Sequence, residues 1–159
     1  MIRGLKSRYS IAGAALLVLV IVFAGANLIF SKDRPTFKAW QVEAIKACTK
    51  MVDQNNAAFA KIFTSEEDLT VANFIAFEKS FEPDFESFET YLKSLDRPAE
   101  QGSKVEEFVG AVEGYRKNLQ KSSTNLAAAQ AEFAAEGRTP ASMRFGIAAS
   151  ALGLQKCVS

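Results

Sequence analysis

The sequence predicts an all-α protein: a single N-terminal transmembrane helix followed by an antiparallel up-down four-helix bundle. Three observations lead there. Residues 11–30 read IAGAALLVLVIVFAGANLIF, without one charged side chain. Beyond Pro35, apolar residues recur at steps of three and four, the spacing of one helix face. The periodic stretches are joined by short connections, which make sequential helices antiparallel neighbours. The 159 residues, 48% hydrophobic and 23% charged, exclude a disordered or collagen-like chain.

The near-neutral total of 19 basic and 18 acidic residues hides a segregation. Residues 1–38 carry six cations and one acid, whereas residues 66–96 carry nine acids and two cations. Segments so different face different surroundings. The basic leader (1–10, with Arg3, Lys6 and Arg8) precedes the apolar stretch (11–30), which is long enough to span about 30 Å of hydrocarbon. A juxtamembrane linker (31–38) and an extracytoplasmic body (39–159) follow. The excess of positive charge in the leader points to a cytoplasmic N-terminus in a bacterial-type inner membrane and a periplasmic or extracellular C-terminal body. The rival is a cleaved signal peptide, with Ala24-Gly25-Ala26 as the cleavage site. Against it, Leu28, Ile29 and Phe30 prolong the apolar run past that site. No Cys follows the run to make a lipoprotein, and no early acid suits a type IV pilin.

The first body helix is expected over about residues 35–63, with Phe37, Trp40, Ala44, Cys48, Met51, Asn55, Phe59 and Ile62 inward. Ser65 and Asp68 form a weak capping box. The second pattern, about 66–95, holds Phe74, Phe77, Phe81, Phe85, Phe88 and Leu92, and Pro83 is expected to kink or stop it. Ser103 and Glu106 predict a capping box for a long third helix. Its seam of Val105, Phe108, Val112, Tyr115, Leu119, Ser122, Leu126, Ala129 and Phe133 alternates steps of three and four and ends at Gly137. The seam also suits a partner-binding coiled coil, although burial within the bundle is favoured. Thr139 and Pro140 open the last helix, with Met143, Ile147, Ala151, Leu154 and Val158 inward.

Cys48 and Cys157 are the only thiols. They lie about 15 and 17 residues below the tops of the first and last helices, so at about 1.5 Å per residue both sit roughly 22–26 Å down the bundle. That shared depth and an oxidising exterior predict a Cys48–Cys157 disulfide.

With no histidine, Ser-His-Asp chemistry, Glu-x-x-His di-iron sites and axial haem ligation are absent, as is any Gly-x-x-x-x-Gly-Lys loop. No catalytic residue, cofactor or metal site is therefore expected. The acidic interval around Glu78, Glu82, Glu86 and Glu89 reads first as a solvated helix face and second as a candidate partner-binding face. Arg116, Lys117 and Lys121 are expected close by within the bundle. Phenylalanines among carboxylates repel phosphate, so no nucleic-acid partner is expected. The expected partners are the lipid bilayer and a membrane protein complex, which a non-enzymatic accessory protein would dock on, stabilise or help assemble. The alternative is a ligand-binding or stress-sensing module acting through a separate signalling partner. One span before an extracytoplasmic helical bundle is similar in architecture to bacterial chemoreceptor sensor domains, which imply such a role. The sequence leaves the oligomeric state open.

Overall fold

The computed structural model describes residues 34–158. The leader, the apolar stretch 11–30 and the linker up to residue 33 lie outside the described residues, as does Ser159. Among the described residues there are five α-helices, two 3₁₀ turns and no strand. No helix among them is long and apolar enough to cross a membrane. The all-α expectation holds for the body, but five helices replace the four expected.

α1 (Phe37–Ile62) lies within the helix expected over about residues 35–63, and Thr36 caps it: its Oγ1 accepts from the Ala39 N–H at 3.2 Å. Trp40, Ala44, Cys48 and Met51 are buried on its inner face. Phe59 is 45% exposed, and Ala58 is buried there instead. Ser65 and Asp68 do form a capping box, around the 3₁₀ turn Glu66–Asp68. The Asp68 carboxylate accepts from the N–H and hydroxyl of both Thr64 and Ser65.

α2 (Val71–Ser94) runs through Pro83 without a stop. Proline in a helix interior costs about 3 kcal/mol. The apolar stripe of Phe81, Phe85, Phe88 and Leu92 stays in register across it, and all four side chains are buried. Pro83 itself faces solvent.

The expected Ser103–Glu106 box does not form. α3 (Gly102–Thr124) is entered through Gln101 in the left-handed region (φ 57°), with no side-chain cap, so Ser103 already lies within the first turn. The long seam also breaks, at Asn125. There the hydroxyls of Ser123 and Thr124 donate back to the Gln120 carbonyl, competing with a straight helix. Asn125 closes α3 and caps α4 (Leu126–Ala134), its Oδ1 accepting from Ala128 N–H at 3.1 Å. Gly137, at φ 71°, helps end α4, and its N–H donates to the Glu132 carbonyl.

α5 (Pro140–Ala151) opens on the Thr139 cap and Pro140 as expected. It ends earlier and faces the other way. Phe145, Ala148, Ala149 and Leu152 are buried, whereas Met143 and Ile147 are 52% and 71% exposed. Phe145 decides the orientation, since its ring packs on Phe85, Phe108 and Tyr115.

The paired side chains fix the topology. Gln54–Asp84 and Glu43–Tyr91 join α1 and α2 in antiparallel register. Glu78–Ser122 and Glu89–Arg116 do the same for α2 and α3. Gly153 (φ 69°) then reverses the chain, and a Cβ there would come 2.9 Å from Gln41 Nε2, which donates to the Leu152 carbonyl at 2.7 Å. The tail therefore runs back along α1, and the 3₁₀ turn Gln155–Cys157 sets Cys157 beside Cys48 at disulfide distance, with Cα atoms 4.6 Å apart.

The paired cysteines are 109 residues apart. A crosslink of that span contributes at most about 5 kcal/mol and commonly about 2–4 kcal/mol. Cys48→Ser should lower the unfolding free energy by about 2–4 kcal/mol in a denaturant titration. Native mass spectrometry should find the protein two hydrogens lighter than its reduced form, and two alkylatable thiols would contradict the pairing.

Candidate functional site

The structure divides the acidic set of α2. Glu86 is exposed and Glu82 half-buried, while Glu78 and Glu89 are buried. Glu89 is paired with Arg116 of α3 and with Lys93, and Arg116 also lies 3.8 Å from Glu82. Lys117, also expected near these acids, pairs with Glu113 at 2.7 Å, and Lys121 is exposed. The reading of the four glutamates as one solvated face is thus corrected: two of them face inward, and Arg116 of the same chain neutralises part of the row. The Glu89 bond holds the Arg116 guanidinium above its usual range. Breaking one partner of a buried pair leaves the other charge desolvated.

The more unusual group lies one turn up. Glu78 is completely buried. Its Oε1 accepts from the Ser122 hydroxyl at 2.7 Å, and its Oε2 has no hydrogen-bond partner. Glu132, on α4, is also buried, and its Oε2 accepts from the Asn118 amide at 2.6 Å. No lysine or arginine forms an ion pair with Glu78 or Glu132 among the described residues. Burial pushes the Glu78 carboxyl up to about 7, against the pull of the Ser122 bond, and the charge of Glu132 adds to the rise. Burial likewise raises Glu132, opposed by Ser122 and Asn118. The Tyr115 phenol is pushed up to about 12 by burial and then by the charges of Glu132 and Glu78. Three elements assemble this cluster: α2 supplies Glu78, α3 supplies Tyr115, Asn118 and Ser122, and α4 supplies Glu132.

Glu132 escaped the sequence reading. The signal was present: Ser122 is a hydroxyl on an otherwise apolar seam, and a buried hydroxyl needs a partner. Chemically, the cluster can hold or release a proton. Its hydroxyl beside a carboxylate, Ser122 against Glu78, is buried and closed to a substrate. A separate groove of about 400 Å³ between α1 and α2 has Met51 and Phe88 among its apolar lining. Most of its polar side chains pair with one another, Glu43 with Lys46 and Tyr91, and Asp84 with Gln54. No cluster of three or more metal-ligating His, Cys, Asp or Glu side chains occurs among the described residues.

No protein-family model, curated protein or solved structure matches this chain.

Two predictions follow from the two acidic groups. Arg116→Ala should destabilise the fold by about 2–4 kcal/mol, because Glu89 is left buried without Arg116, whereas Glu86→Gln should cost less than about 0.5 kcal/mol. Because the folded pKa of Glu78 lies above its unfolded value, its protonated form favours folding, fully so below about pH 4.5. That contribution is lost as pH rises toward about 7 and amounts to about 3 kcal/mol. Chemical denaturation across pH 4–8 should show this fall, and Glu78→Gln should flatten it.

Proposed function

We propose that this chain is a non-enzymatic accessory protein. Residues 11–30 hold it in a membrane, and its extracytoplasmic bundle docks on a larger membrane protein complex, which it stabilises or helps assemble. The observation that carries this reading is the outer face of α5. Met143, Ile147 and Ala151 line it at helical spacing, and the first two are more than half exposed. Val158, 46% exposed, extends the patch, since its Cγ1 is 3.7 Å from where a Cβ on Gly146 would stand. A helix apolar on both sides needs cover on both sides. One side of α5 packs on α3, and the other has no cover within the described chain.

Charge selects the kind of cover. Residues 140–158 contain Arg144 and Lys156 and no acid. The fitting occupant is an apolar helix with carboxylates at its rim, belonging to the complex. A second copy of this chain, meeting the first through the same face, would set like charges together. The anchor confines the search for that partner to the membrane plane and raises the effective concentration.

A second reading, an extracytoplasmic sensing module acting through a separate signalling partner, draws support from the sealed Glu78–Glu132 pair.

Purification of the full chain in mild detergent tests the first reading. The protein should migrate with a stable partner, and Ile147→Asp should release it while changing the melting temperature little, because Ile147 is 71% exposed. Migration as a free monomer, or a complex indifferent to Ile147→Asp, would contradict it.

A further inference from the structure

We propose that α4 is a proton-controlled latch, closed over α2 and α3 while at least one of Glu78 and Glu132 carries a proton and released when both carboxyls are ionised. α4 is weakly held otherwise. It has nine residues, of which only Ala129 and Glu132 are buried. Leu126 is mostly exposed, and Phe133 contributes one edge-on contact to Phe74, with ring centroids 5.8 Å apart. Its two ends are a break at Asn125 and a turn in which Glu136 and Gly137 both have positive φ. The paired cysteines join α1 to the tail and do not hold α4 itself.

Glu132 is therefore the main inward group of the least anchored helix, and it meets a second carboxyl in the absence of a cation. The charged and titratable groups facing the pair can be named from each side. From α2, Lys79 is exposed and Glu82 points toward Arg116. From α3, Arg116 is held by Glu89, Lys117 by Glu113, Lys121 is exposed, and the Tyr115 phenol stays neutral well above physiological pH. The last turn of α1 offers only Lys61, which is exposed. In the loop after α4, Glu136 and Arg138 pair with each other. Nothing among these offsets a second negative charge in the cluster.

With one proton, a carboxyl and a carboxylate coexist around Ser122 and Asn118. When that proton leaves to water, two like charges remain in a site of low polarity, which is costly. Water can solvate both only if an element moves, and α4 is the one with least to lose. Its departure uncovers Phe74, Phe133 and Glu78, a mixed aromatic and acidic surface at the end of the bundle distant from the first turn of α1. The device is independent of the docking role proposed for α5, so either can fail alone.

Hydrogen–deuterium exchange on the full chain in mild detergent, read at pH 6 and pH 8.5 and corrected for intrinsic exchange, tests the latch. Protection across residues 126–134 should fall by about ten-fold or more beyond any fall across residues 105–119, the equivalent of one pKa unit of coupling. Glu132→Gln should remove the fall, and Glu78→Gln should do the same. Equal wild-type protection at the two pH values would overturn the proposal without any variant. So would a fall that persists in either Gln variant, or one shared equally by residues 105–119.

Discussion

Phe81, Phe85, Phe88 and Leu92 step along α2 at intervals of four, three and four, and all are buried against the rest of the body. Glu78 stands three residues before Phe81 on the same stripe, so burying the rings buries the carboxyl too. The magnitudes show which effect wins. Four large apolar side chains contribute roughly 6–12 kcal/mol by burial. Carrying a carboxyl whose pKa is raised to about 7 costs roughly 3–4 kcal/mol at and above that pH. Continuity through Pro83 costs about 3 kcal/mol more. The stripe outweighs each penalty taken singly, and α2 remains one helix with an acid sealed inside it.

The same stripe sets the position of α5. Phe85 and Tyr115 offer a ring-lined surface, and Phe145 is the one large aromatic on α5 that can meet it. Once Phe145 turns inward, the alanines beside it follow, and Met143 and Ile147 are carried outward. The unpartnered face of α5 is thus a consequence of core packing. The return of the tail past Gly153 then brings Cys157 to Cys48. The pairing expected from equal depth along two straight helices is reached by another path, a reversal followed by a 3₁₀ turn.

Much of this architecture was legible in residues alone, and the exceptions share a cause. The start of α1, the Ser65–Asp68 turn and the Thr139–Pro140 opening of α5 depend on local chemistry, and all three form where their residues stand. The choice between the two apolar faces of α5 depends on which ring fills a distant gap, and periodicity cannot rank two faces of similar strength. The continuity of α2 through Pro83 is likewise decided by tertiary burial against local preference. Glu78 was read with its neighbours Phe77 and Glu82, although its spacing to Phe81 and Phe85 puts it on the inner stripe. Glu132 was hidden because its partner lies on a helix that local sequence runs into the one before it, and only the break at Asn125 brings it back over Ser122 and Asn118.

A carbon-13 titration of the Glu78 side-chain carboxyl, resolved by NMR in the intact disulfide-bonded protein, tests the burial of that stripe most directly. The account predicts a midpoint near 7, the value set by a sealed site without a cation. A midpoint in the ordinary glutamate range, about 4.3, would place that carboxyl in water and contradict the packing from which the rest of the structure is argued.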